Sequence, residues 1–143
     1  MKNSTVLNRT GRTYIFAPMA YLLVVDDDAD GRDALCRFLT KAGHEISCVS
    51  NGREALASVL ARAPDLIILD LMMPVMDGPS LLEIMRSYLR LQALPVIIMT
   101  ALPESPMVER ARHLKVNAIL LKGKATFDEI LQAVTQELHR LPT

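Results

Sequence analysis

No stretch of this 143-residue chain approaches the roughly 18 consecutive apolar residues of a membrane-spanning helix. Net charge is missing as well. Sixteen Lys and Arg balance sixteen Asp and Glu, so there is no electrostatic case for a nucleic-acid partner. The balance is uneven along the chain. Residues 1–20 hold Lys2, Arg9 and Arg12 and no acid, which leaves 13 basic and 16 acidic residues in the remainder. Cysteine is scarce: Cys36 and Cys48 are too few and too loosely spaced for a disulfide framework or a zinc site. Both lie in apolar-patterned segments and are expected as reduced structural thiols of a cytoplasmic protein. The head "MKNSTVLNRTGRTYIFAPMA" lacks the continuous apolar core of a signal peptide. Residues 1–19 are therefore expected to be a disordered extension, or sequence ahead of a second start at Met19. Residues 20–143 are expected to form one domain. There is no internal repeat, no EF-hand spacing and no glycine-rich loop to cradle a nucleotide or flavin.

Half of the residues are hydrophobic, enough for one good core. Short apolar or β-branched segments at 22–25, 45–49, 66–69, 96–99 and 119–121 alternate with helical patterns. Four of the five are continuous apolar runs, as in strands covered on both faces. Between them, Ala34, Leu35, Phe38, Leu39 and Ala42 follow helical spacing, and Gly43 supplies a stop. Asp28 or Asp30 is expected to cap that first helix, and Asn51 the second. Pro79 suits a first helical turn. Ser105-Pro106 can start a fourth helix, and Thr126-Phe127-Asp128-Glu129 reads as a capping box. Five βα units with short links imply a parallel sheet with helices on both faces.

One stretch stands out within this frame. In "YLLVVDDDAD" a buried-looking strand runs into three adjacent carboxylates. Two like charges about 4 Å apart repel by roughly 4 kcal/mol at an effective dielectric near 20. Ligands of open parallel sheets bind beyond the carboxyl ends of the strands. Asp70 ends the third strand, in "LIILDLMMPVMDG". If the first and third strands are neighbours, Asp26, Asp27 and Asp70 converge. An all-oxygen cluster of this kind suits magnesium, with manganese as a substitute and calcium as the lesser alternative. Thr100 closes "PVIIMT" and Lys122 closes "AILLK". A carboxylate nucleophile, a metal, a hydroxyl donor and a fixed cation together make a site for a phosphoryl group. Singly, each has a blander reading as a loop, turn or solvent-exposed residue. The case rests on all four lying at carboxyl ends of successive strands.

The pieces "LLVVDDD", "LIILDLMMPVMDG", "PVIIMTA" and "AILLK" jointly resemble the receiver domain of two-component response regulators, in the single-domain chemotaxis layout. The likeness covers about residues 20–140. It implies a flavodoxin-like, doubly wound five-stranded parallel sheet of order 2-1-3-4-5, a fold that is general knowledge for this family. It also implies that Asp70 takes a phosphoryl group from a histidine kinase or phosphotransfer protein. Asp26, Asp27, Asp70 and the backbone carbonyl of Met72 would hold magnesium. Lys122, Thr100 and the backbone amides of Met72 and Ala101 would contact phosphoryl oxygens. Thr100, Ile119 and Gly123 would form the switch region.

The sequence departs from the family at two of these positions. Gly123 stands where most receivers carry a cis-proline. A non-proline cis bond costs about 2.5–4 kcal/mol against roughly 0.5–1 for X–Pro, so a trans Lys122–Gly123 bond is predicted. Gly123 is expected to take unusual dihedrals instead. Ile119 replaces the usual aromatic switch residue. Met72 and Leu102, two residues beyond Asp70 and Thr100, are expected to impede water and slow dephosphorylation. The resulting expectation is a stand-alone receiver, monomeric or weakly dimeric, that signals through a partner protein and touches neither nucleic acid nor membrane. A phosphorylation-independent adapter is the alternative. A magnesium phosphatase of the haloacid dehalogenase type is a weaker one, because its second acid would fall at Met72.

Overall fold

The computed structural model describes residues 4–7, 13–16 and 19–140. Two short strands, β1 (Ser4–Leu7) and β2 (Thr13–Phe16), pair antiparallel within the segment read from sequence as disordered. From β3 (Tyr21–Val25) onward, strand and helix alternate: α1 (Ala29–Lys41), β4 (Glu45–Val49), α2 (Gly52–Ala61), β5 (Leu66–Asp70) and α3 (Gly78–Ser87). A 3₁₀ turn (Leu89–Leu91) leads to β6 (Val96–Thr100), α4 (Pro106–Arg112), β7 (Ala118–Leu121) and α5 (Phe127–His139). The five strands from β3 onward form one parallel sheet in the order β4-β3-β5-β6-β7. Counted from β3, that is 2-1-3-4-5, the expected doubly wound order.

The sheet separates two apolar layers. Leu23, Val25, Ile67, Leu69 and Ile98 face α2, α3 and α4, where Ala55, Val59, Leu82, Met85 and Val108 are buried. Leu22, Val24, Ile68 and Ile97 face α1 and α5, with Leu39, Ile130, Val134 and Leu138. β3, β5 and β6 are buried at every position, which is why they read as unbroken apolar runs. Fully burying one such side chain stabilises the fold by about 1.5–3 kcal/mol.

Local chemistry sets the helix starts. Asn51 accepts from the Glu54 amide, and Asp77 from the Ser80 amide at the start of α3, where Pro79 occupies the first turn. Ser105 accepts from the Met107 amide. Thr126 and Glu129 complete both halves of a capping box. The expected cap on α1 is not made. Asp28 occupies the N-cap position and its carboxylate lies beside Gly31 in the first turn, but its side chain forms no capping bond.

The expectation of separate thiols is also corrected. Cys36 of α1 and Cys48 of β4 are joined in a disulfide. The rotational phase of α1 over the sheet edge brings together two side chains that sequence spacing alone does not relate. No helix among the described residues is long and apolar enough to cross a membrane.

Candidate phosphoryl-transfer site

Register builds the site. Val25 pairs with Leu69, so the residues that follow them, Asp26 and Asp70, emerge side by side at the carboxyl edge of the sheet. Asp70 in turn pairs with Met99, and Thr100 with Leu121, which puts Thr100 and Lys122 at the same edge. Carboxylate oxygens of Asp26, Asp27 and Asp70 all lie within 4.8 Å of one another. Asp70 is buried, Asp26 half-buried and Asp27 exposed. The Lys122 ammonium reaches into this group. It donates to Asp26 Oδ1 at 2.9 Å and to Asp70 Oδ2 at 3.1 Å. One ammonium against three carboxylates leaves a net deficit that a divalent cation would neutralise. The all-oxygen donor set fits magnesium.

Burial pushes the Asp70 carboxyl up to about 6, against the pull of its hydrogen bond to Lys122. Asp26 adds to the rise by like-charge repulsion. For Lys122, burial works to lower the ammonium, but the hydrogen bonds to Asp26 and Asp70 outweigh it and hold it above the ordinary lysine value. At neutral pH the site is thus an ionised, poorly solvated carboxylate beside a fixed cation.

The Met72 amide donates to Asp70 Oδ1 at 3.3 Å, so one of the expected backbone amides faces that carboxylate. Thr100 is buried at the same edge. Its hydroxyl accepts from the Leu102 amide at 3.1 Å, and no hydrogen bond joins it to Asp70. Ala101 is exposed beside it. Ile119 packs, partly buried, against the layer that contains α4. The Lys122–Gly123 peptide is trans and Gly123 has φ +86°, a conformation that glycine adopts without steric cost.

Two supporting residues escaped the sequence reading. Arg32, one turn into α1, donates to the Asp26 carbonyl at 2.9 Å and holds the acid loop from below. Its signal, a lone arginine on a polar helix face, is too common to find. Gly78 is more telling. A Cβ there would lie 2.8 Å from Leu71 Cα and 3.1 Å from the Asp70 carbonyl, so the loop after Asp70 packs directly on a bare backbone. The "MDG" triplet carried that signal.

A doubly wound sheet with converging acids, a hydroxyl and a lysine at its carboxyl edge defines the class of phosphoryl-accepting signalling domains. Comparison with known proteins narrows this. The model of the response regulator receiver domain matches residues 22–135, and the chain belongs to that family. Among curated relatives, it is 39% identical over 123 residues to a protein-glutamate methylesterase/protein-glutamine glutaminase of Archaeoglobus fulgidus, a match spanning 83% of this chain and 34% of that one. It is 36% identical over 103 residues to the transcriptional regulatory protein GltR of Pseudomonas aeruginosa, covering 72% of this chain and 42% of GltR. The chain therefore spans well under half the length of these relatives. Among solved structures, the chemotaxis response regulator CheY4 of Vibrio cholerae superposes with a TM-score of 0.76 at 29% identity, over 85% of this chain and 99% of that one. A putative response regulator from Chloroflexus aurantiacus gives a TM-score of 0.78 at 28% identity, over 86% and 100%. Phosphorylation and magnesium use are general features of the family.

Proposed function

We propose that this chain is a phosphorylation-controlled receiver in which Asp70 accepts a phosphoryl group from a histidine kinase or phosphotransfer protein. The observation that carries the reading is the buried Asp70 carboxylate held between Lys122 and the Asp26–Asp27 pair. Asp26, Asp27, Asp70 and the Met72 carbonyl would hold magnesium, which supplies charge neutralisation for the incoming phosphoryl oxygens. An Asp70 oxygen forms the new bond to phosphorus as the donor's bond to phosphorus breaks. Lys122 shifts its donors from carboxylate to phosphoryl oxygens, and the amides of Met72 and Ala101 share that charge.

Thr100 would leave the Leu102 amide for the phosphoryl group and so bias a two-state element around α4 and β7. Ile119 carries no ring to swing, and Pro103 and Pro106 stiffen the adjoining link, so this switch is damped or differently routed. The protein would act in the cytoplasm, as a monomer or weak dimer, through a partner protein. Met72 and Leu102 expose apolar side chains at the site mouth, 47% and 52% accessible. They are expected to slow hydrolysis of the acyl phosphate. Phosphoryl decay followed in Met72→Asn and Leu102→Asn should be faster than in wild type, and equal rates would remove this role.

Intact mass after incubation with acetyl phosphate tests the central reading. A magnesium-dependent gain of one phosphoryl mass is expected in wild type and not in Asp70→Asn. A gain that survives in Asp70→Asn would assign the acceptor elsewhere. No gain with acetyl phosphate or with any histidine-phosphorylated donor, while magnesium still binds, would favour a phosphorylation-independent adapter.

A further inference from the structure

We propose that the cavity between α1 and α5 is a binding site for a small organic ammonium compound with an apolar body. The cavity measures roughly 320 Å³, at the lower end of ligand-sized pockets. Its walls are apolar: Leu35 from α1, Ile68 and Met99 from the sheet, Ala125, Phe127 and Ile130 from the approach to α5 and its first turns. The exposed Asp28 stands at its mouth, and the partly buried Asp26 and Lys122 and the buried Asp70 also line it. Lys122 spends its hydrogen bonds on Asp26 and Asp70. Asp28 is left over. It is exposed, and its side chain makes no capping bond although it stands at the N-cap position of α1. The mouth therefore presents a carboxylate without a cation above an apolar chamber. Phe127, 40% exposed and 5.3 Å from the Phe38 ring, extends the apolar wall to the surface as an aromatic lip.

The occupant follows from this division. An apolar ring or short chain fills a chamber whose walls offer it dispersion contacts and no hydrogen bonds. An ammonium at its end meets Asp28, and the lip adds a cation–π surface. A carboxylate at that end would face three acids. The site itself stands on the cavity. Its coupling to phosphorylation rests on the reading of Asp70 given above: an ammonium at the mouth opposes magnesium beside it, and by linkage each weakens the other equally.

Amide NMR of the labelled full chain tests this with three probes of one shape: phenethylammonium, phenethyl alcohol and hydrocinnamate. Saturable shifts around Leu35, Ala125 and Ile130 are expected, with the ammonium binding tightest and the carboxylate weakest. Asp28→Asn should weaken the ammonium about threefold and leave the alcohol unchanged. Ala125→Leu fills the chamber and should abolish binding of all three. No saturable shifts, an ammonium that binds no better than hydrocinnamate, or undiminished binding in a folded Ala125→Leu would each overturn the proposal. Should Ala125→Leu lose its dispersed spectrum, Asp28→Asn decides alone: equal ammonium affinity in that variant overturns it. Added magnesium should weaken phenethylammonium. If the cavity binds and magnesium changes neither the ligand affinity nor the amide shifts around Asp26, Asp27 and Asp70, the ligand site stands and the metal reading of the acid cluster falls.

Discussion

The two edges of the sheet use polar residues in opposite ways. At the amino edge each polar group closes a backbone account. The Tyr21 amide donates to Asp65 at 2.8 Å, the Ala20 amide to His44 Nδ1 at 3.2 Å and the Val96 amide to Asn117 at 2.9 Å. Arg86 donates to four carbonyls, those of Leu91, Leu94, Leu114 and Lys115. At the carboxyl edge, like charges crowd together, one carboxyl is pushed up to about 6, and β-branched Val75 sits at φ +72°. The amino edge is satisfied and holds the strands in register. The carboxyl edge is held in an unfavourable arrangement by that register, ready to be relieved by a cation. Mutations should therefore have opposite signs at the two ends.

The largest effect is expected at the amino edge. Arg86→Met removes four hydrogen bonds that tie the end of α3 to the entries of β6 and β7. It leaves partly buried carbonyls unpaired, which should cost about 2–4 kcal/mol. Urea unfolding checks this, and a loss well under 1 kcal/mol would mean that water replaces the guanidinium freely. At the carboxyl edge the sign reverses. Asp70 has a folded pKa of about 6 against an ordinary 3.8. Its charge therefore penalises the fold fully above about pH 6 and not at all below about pH 4. Asp70→Asn should gain about 1–3 kcal/mol at neutral pH without magnesium, and that gain should vanish in acid. Magnesium should narrow it by stabilising wild type. A variant less stable than wild type at neutral pH would show that Lys122 already compensates the acids.

The residues that determine this contrast were unequally legible. The strands were plain because both faces of the sheet are covered, and so was the convergence of Asp26, Asp27, Asp70 and Lys122, because strand ends and residue types are local facts. Arg86 reads in sequence as one more solvent-facing arginine near a helix end. Only the fold brings it four carbonyls from three segments. The Cys36–Cys48 pairing depends on how α1 is turned over β4, which spacing does not encode. Strands β1 and β2 carry β-formers, in "STVL" and "TYIF", but lie in a polar segment apart from the main apolar runs. Asp28 as a helix cap was a sound local inference: the residue stands at the N-cap position, but its carboxylate makes no capping bond.

Two smaller effects sharpen the comparison. The Met76 amide donates to the Pro74 carbonyl at 2.8 Å across Val75, a tight three-residue turn in its strained positive-φ form. Valine's 73% exposure gives it no packing in return. Val75→Asn should recover about 1 kcal/mol. Glycine should recover less, because it also loosens the unfolded chain.

His44 provides the last and smallest test, and it must be read against Asp70. Burial lowers its pKa below the ordinary 6.5 by disfavouring the charged ring, and the ring nitrogen accepts from the Ala20 amide. Protonation would turn that acceptor into a donor facing another donor. A depressed folded pKa means that the stabilisation is present above about pH 6.5 and is lost as pH falls through the lowered value. Asp70 runs the other way through an overlapping window, so the wild-type profile alone conceals both. The difference between wild type and His44→Gln should favour wild type at pH 8 and shrink toward pH 5. The difference between wild type and Asp70→Asn should move oppositely over the same range. If the His44 difference is flat with pH, the amino edge does not depend on a neutral imidazole, and its tie to β3 lies in the Asp65 bond instead.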